Sequence, residues 1–146
     1  FTGLAITILI EHPNANWTLA PFCIVMAGAC VGFLFLNKYP AKLFMGDSGS
    51  LAIGASMGGI ALLSNNLWSL VIIGGILVAE SISVIIQVSI FKISKLINGK
   101  GHKLFLMTPL HHHFELKGNN EVVIVGSFWF VTLLLVIINL IFVIKP

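Results

Sequence analysis

A lone carboxylate, Asp47, lies among small residues between two apolar segments. The stretch reads Phe44-Met45-Gly46-Asp47-Ser48-Gly49-Ser50, and the apolar run after it predicts a helix with Asp47 or Ser48 as N-cap. The unpaired N–H groups at such a helix end suit a phosphate, and a carboxylate beside a phosphate requires a cation between them. The pattern therefore predicts that Asp47 holds Mg²⁺ against a phosphorylated substrate, although a plain helix cap explains the same residues.

Three adjacent histidines, His111, His112 and His113, form the second candidate group. Successive side chains on a helix are about 100° apart, so the three imidazoles would fan over roughly 200° rather than converge on one ion. One or two of them facing an anionic substrate, as hydrogen-bond donors or as cations, explain the run better than a metal cage. Glu115 follows His111 by four residues and is predicted to orient it on a short helix capped by Thr108.

A third candidate, Glu80, lies near the middle of a predicted membrane span, where an ionised carboxylate is costly. Ser83 and Gln87 follow on the same helical face and extend a polar stripe. A functional carboxylate and a neutral Glu80 within an interhelical hydrogen-bond cluster both explain this stripe.

Two further residues border the Asp47 stretch. Asn37 ends the preceding apolar run, where it either closes a helix or contacts a substrate. Phe44 is either a membrane-surface anchor or a stacking platform for a base.

The composition defines the elements that must position these residues. The chain has 146 residues, of which 58% are hydrophobic and 9% charged, with a mean hydropathy of +1.05. Soluble domains carry about 25% charged residues, so we predict an all-α, polytopic membrane helical bundle that forms a single transmembrane domain over residues 1–146. The predicted spans are residues 1–10 (partial), 17–37, 49–65, 67–91 and 122–144, with loops at 38–48 and 92–120.

The lysines predict the orientation of these spans. Two spans separate the loop at 38–48 from the loop at 92–120, so both loops are expected on the same face of the membrane. That face holds seven lysines of the eight basic residues, which makes it cytoplasmic by the positive-inside rule and places Lys145 outside. The net charge of +3 thus reflects membrane topology, and we expect no nucleic-acid partner.

Three segments carry a resemblance to a known family: residues 44–50, 80–87 and 109–115. They are similar to the phospho-N-acetylmuramoyl-pentapeptide transferases, and the resemblance extends from about Gly32 to the last residue. It implies a ten-helix enzyme of the bacterial inner membrane with its active site on the cytoplasmic face. Such an enzyme transfers phospho-N-acetylmuramoyl-pentapeptide from its uridine diphosphate carrier to undecaprenyl phosphate, releasing UMP and forming lipid I for peptidoglycan.

The same resemblance implies roles for individual residues. Asp47 matches the Mg²⁺-binding aspartate, and Phe44 and Gly46 match positions that line the uridine pocket, with Asn37 as a further substrate contact. The run His111, His112 and His113 matches the histidine motif near the diphosphate.

One departure from the family pattern concerns the rest of the active site. The family's paired-aspartate motif and its Asn- and Asp-rich loop have no match in this chain. We therefore expect the chain to be the C-terminal portion of a larger membrane transferase, inactive by itself, in contact with membrane lipid and compatible with a homodimer.

Two other functions remain open at this point. One is a related transferase that places another N-acetylhexosamine 1-phosphate on polyprenyl phosphate. The other is a membrane transporter in which Glu80 is the ion site and the histidines form a gate.

Overall fold

The computed structural model describes residues 1–11 and 18–144, and every regular element in these ranges is an α-helix. The chain order is α1 (Thr2–Glu11), α2 (Leu19–Asn37), α3 (Gly46–Leu63), α4 (Leu67–Ile73), α5 (Gly75–Asn98), α6 (Leu110–Leu116) and α7 (Glu121–Ile144). The predicted start of the 17–37 span and the predicted position of Lys145 lie outside the described residues.

Three of the described helices, α2, α5 and α7, are long and apolar enough to cross a membrane. Few of their side chains are buried within the chain, and exposed apolar faces of this kind are stable in lipid or against other apolar helices. The predicted all-α, polytopic membrane fold is confirmed. α3 has 18 residues, but its first turn contains Gly46, Asp47 and Ser48, which lower its hydropathy, and its crossing of the membrane stays a prediction.

The helix predicted over residues 67–91 is wrong in its continuity and in its end. It is interrupted at Gly74, between α4 and α5, where two successive glycines weaken the helix. α5 then continues to Asn98, and Gly99 ends it at φ +70° by donating its N–H to the carbonyl of Lys95. The predicted loop at 92–120 therefore begins seven residues later than expected, because Lys92 and Lys95 are compatible with a helix and nothing before Gly99 breaks it.

The first of two compact units comprises Phe1–Ile73 and Leu135–Pro146, within the described ranges. Its core forms where α1 packs against α2 and α4. The buried apolar side chains there are Leu4, Ala5, Ile8, Ala20, Cys23, Ile60 and Ile73. α7 joins this unit through a buried polar contact, in which Asn139 Nδ2 donates to Thr7 Oγ1 at 3.0 Å.

The second unit comprises Gly74–Leu134. It contains α5, α6 and the first part of α7, and α5 contacts α6. The segment between these two helices, residues 99–109, runs back along α5 and is tied to it by the side chains described below.

Candidate functional site

The loop that precedes Asp47 is closed onto the end of α2. Asn37 Nδ2 donates to the carbonyl of Leu43 at 2.9 Å. The N–H groups of Lys42 and Leu43 both donate to the carbonyl of Leu36, at 2.8 and 3.3 Å. Asn37 therefore positions the loop, and its predicted contact with a substrate stays a prediction.

Gly46 explains how Asp47 is presented. Gly46 is the first residue of α3 and has φ +66°, a left-handed conformation that L side chains rarely adopt. Met45 occupies the N-cap position without a side-chain cap, so the prediction that Asp47 or Ser48 caps the helix is wrong. Because the helix begins before it, Asp47 lies in the first turn, exposed and close to the positive end of the helix dipole.

An apolar cavity of about 340 Å³ adjoins this loop within the first unit. Its lining includes Cys30 and Phe33 of α2, Phe44 of the loop and Gly49 of α3. Phe44 lies at its edge with 81% of its surface exposed. An exposed ring at such a position is compatible with both predicted roles, stacking on a base and anchoring at the membrane surface.

In the second unit, Gln87 holds the segment that leads to the histidines. Its Oε1 accepts from the N–H groups of Leu104 and Phe105 at 3.0 and 2.9 Å. Its Nε2 donates to the carbonyl of Phe105 at 3.1 Å. One turn pair further along α5, Ser94 Oγ accepts from the N–H of His102 at 2.7 Å.

Glu80 binds the start of α6. Its Oε2 accepts from the N–H of Leu110 at 2.6 Å and its Oε1 from the N–H of His111 at 3.2 Å. The N-cap position is Pro109, which makes no side-chain cap, so the prediction that Thr108 caps this helix is wrong. The acceptor comes instead from α5, a partner remote in sequence that local spacing does not reveal.

Each of the three histidines has a different partner. His111 Nδ1 lies 3.4 Å from Glu80 Oε1, and His112 Nδ1 lies 2.7 Å from Glu115 Oε2. His113 Nδ1 accepts from the N–H of Leu106 at 3.2 Å. The prediction that Glu115 orients His111 is therefore wrong, because on α6 the carboxylate reaches the residue three positions before it rather than four.

His111 also borders a cavity of about 260 Å³ within the second unit. Glu115, Glu121 and Phe128 line the same cavity. The side chain of His111 is 39% exposed, so this imidazole is bound by Glu80 on one side and accessible on another. It is accessible enough to donate a hydrogen bond to an anionic substrate.

A magnesium ion is the metal that the residues of the first unit could hold. Within residues 1–11 and 18–144 no three His, Cys, Asp or Glu side chains form a metal-binding group. Mg²⁺ usually takes one or two carboxylates and completes its shell with water and substrate phosphates. The single exposed carboxylate of Asp47 fits that pattern.

The structure groups the predicted residues into two sets. Asn37, Phe44, Gly46 and Asp47 share one loop of the first unit, and the three histidines share α6 of the second. The roles of Gln87 and Ser94 were not predicted. A signal for them exists in the sequence, because Glu80, Gln87 and Ser94 are spaced seven apart and so lie on one face of a helix.

The fold and these groups define the class, a polytopic helical membrane protein with an exposed aspartate and a histidine-bearing helix. The chain is 83% identical to a phospho-N-acetylmuramoyl-pentapeptide-transferase of Prochlorococcus marinus (strain NATL2A), over 99% of this chain and 39% of that protein. Proteins of the same name from another Prochlorococcus marinus strain and from Synechococcus sp. (strain CC9605) are 60% and 54% identical over 91% and 97% of the chain, and 36% and 40% of their own length.

The profile of glycosyl transferase family 4 matches residues 1–65. By sequence, the chain belongs to the phospho-N-acetylmuramoyl-pentapeptide transferase family. It spans about two fifths of the length of the curated relatives that it matches.

Proposed function

We propose that a full-length protein carrying this chain transfers phospho-N-acetylmuramoyl-pentapeptide from its uridine diphosphate carrier to undecaprenyl phosphate. UMP and lipid I are the products, and the reaction takes place at the cytoplasmic face of the bacterial inner membrane. The observation that carries this proposal is the match of nearly the whole chain to transferases of that name.

The chemistry is a phosphoryl transfer. An oxygen of undecaprenyl phosphate attacks the sugar-bearing phosphorus, a new P–O bond forms, and the bond to the oxygen of the departing UMP breaks. Mg²⁺ held by Asp47 would neutralise part of the diphosphate charge.

The residues of this chain have three tasks in that reaction. The histidines of α6 donate hydrogen bonds to phosphate oxygens and stabilise the charge that develops on them. Phe44 stacks on the uracil ring, and Gly46 lets the backbone approach the nucleotide closely because it has no side chain. Asn37 keeps the loop closed through its bond to Leu43.

Replacement of Asp47 tests this proposal most directly. In the full-length enzyme, Asp47→Asn should lower Mg²⁺-dependent UMP release by about a hundredfold or more, because a neutral amide binds a hard cation poorly. UMP release would be measured with and without polyprenyl phosphate, after thermal unfolding has shown that the variant is folded.

Glu11→Gln is the matched control, because Glu11 is also an exposed carboxylate at a helix end. It should leave turnover unchanged. Unimpaired turnover in Asp47→Asn would remove this residue from the mechanism.

The same assay separates the two other functions. A related transferase would release UMP from a uridine diphosphate N-acetylhexosamine rather than from the muramoyl-pentapeptide carrier. A transporter would release no UMP at all. The contacts of Glu80 do not favour an ion site, since both of its carboxylate oxygens accept N–H groups of α6.

A further inference from the structure

We propose that Glu80 is a positioning residue for His111, acting through a row of anchors on α5 that sets the placement of the histidine-bearing helix. This inference rests on the proposed function, because it assigns a task to His111 in that reaction. It gives the intramembrane carboxylate a role in holding α6 rather than in contacting the substrate.

The row consists of Ser94, Gln87 and Glu80, in the order in which the returning chain meets them. Ser94 accepts from His102, Gln87 accepts from Leu104 and Phe105, and Glu80 accepts from Leu110 and His111. Successive anchors are seven residues apart, about two helical turns. The chain from 102 to 111 is therefore held antiparallel to α5 at three points.

Glu80 differs from the other two anchors in charge and in what it binds. It accepts the first N–H groups of α6, which have no partner within their own helix. α6 has seven residues, a length at which an isolated helix is unstable in water. Its existence and its start at Leu110 therefore depend on contacts from outside, and a carboxylate at the N-terminus is a favourable one.

The same carboxylate also reaches the imidazole of His111. Glu80 Oε1 lies 3.4 Å from Nδ1 of that ring, and the Glu80 side chain is only 15% exposed. When Nδ1 carries the proton, it faces the carboxylate and Nε2 is left on the accessible side of the ring. Backbone and side chain of His111 are thus both set by one residue, while His112 is held by Glu115 instead.

Ser83 supports this arrangement from within α5. It is buried, and its hydroxyl donates to the backbone carbonyl of Glu80 at 2.6 Å. Ser81, by contrast, is exposed and donates within its own helix to the carbonyl of Leu77. Ser81 is next to Glu80 in sequence without taking part in the row of anchors, so Ser81→Ala is a matched control.

A double-mutant cycle tests the proposal in the full-length enzyme. Glu80→Gln, His111→Ala and the double variant would be compared by kcat and KM for UMP release, with Ser81→Ala beside them. Glu80→Gln keeps the size of the side chain but places an amide donor against backbone donors. We expect its kcat to fall about tenfold with KM changed less than about threefold, because the misplaced imidazole loses alignment rather than the substrate losing its pocket.

In the His111→Ala background, the same Glu80→Gln change should cost less than about twofold, since the group that Glu80 positions is then absent. Ser81→Ala should match the native enzyme in both constants. A tenfold loss that persists in the His111→Ala background would show that Glu80 acts by general stability alone and would overturn the proposal. Full activity of Glu80→Gln would overturn it as well.

Glu80→Asp is the second variant if Glu80→Gln does not fold in the membrane. It keeps the charge but shortens the reach, so its loss of kcat should be smaller and should again disappear when His111 is replaced. An additive effect of Glu80→Asp in both backgrounds counts against the proposal. Absence of UMP release from the native enzyme would instead refute the proposed function, so the two failures are distinguishable.

Discussion

At the scale of single residues, the backbone decides which side chains can act. Asp47 is exposed in the first turn of α3 because Gly46 adopts a left-handed conformation immediately before it. Glu115 pairs with His112 rather than His111, although both residues are within reach on a helix. The difference arises because Glu80, remote in sequence, already occupies the Nδ1 side of His111.

Gly46→Ala should weaken the Asp47 loop. A side chain at φ +66° costs about 1 kcal/mol or more, and the chain can relieve this strain only by moving the start of α3. We expect a higher KM for the uridine diphosphate substrate in the full-length enzyme and a lower temperature of unfolding. Gly28→Ala, at a helical position with open space around it, is the control and should be neutral. Equal KM values for the two variants would mean that this conformation of Gly46 is not required.

At the scale of elements, α5 acts both as a candidate membrane span and as a support for the returning chain. Its polar row binds the segment that leads to α6, and Gly101 lies directly against the ring of Phe91. A Cβ at Gly101 would collide with that ring. The close approach explains why a glycine is needed at this point of the return.

Gly101→Ala should therefore loosen the segment between α5 and α6. The displaced chain would expose the backbone at Lys100 and Lys103, and we expect faster cleavage there by trypsin in detergent. Combining the change with Phe91→Leu should restore most of the protection, because the smaller side chain leaves room for the added methyl group. Gly126→Ala in α7, where the surroundings are open, should not alter cleavage. Unchanged proteolysis of Gly101→Ala would show that the packing on Phe91 does not hold the segment.

At the scale of the whole molecule, the proposed chemistry requires Asp47 and the histidines at the same membrane face. Asp47 belongs to the first unit and the histidines to the second. Both loops are rich in lysine, which is the basis for expecting both of them in the cytoplasm.

Cysteine labelling tests this topology. In a full-length protein without Cys23 and Cys30, single cysteines at Ser48 and Lys117 should both react with an impermeant maleimide only when the cytoplasmic side is accessible. The two positions are exposed and lie next to the two candidate groups. A cysteine at Glu11 gives a reference for reagent access. Labelling of the two loop positions from opposite sides would rule out a shared active site.

The membrane class follows from composition alone, because a chain this apolar with so few charges cannot remain soluble. The helical class follows too, since a segment in lipid must satisfy its own backbone. The position of Asp47 ahead of an apolar helix, the helix over the histidines and the polar face of α5 were also predictable from local spacing. These features depend on residues that are close in sequence.

Tertiary structure decided the partners. The binding of the α6 N-terminus by Glu80 joins residues 30 and 31 positions apart, and the hold of Gln87 on Phe105 spans 18. The break at Gly74 and the extension of α5 to Asn98 likewise depend on how a local tendency competes with packing. Spacing reveals which side chains share a helix face, but only the path of the chain determines which backbone groups that face meets.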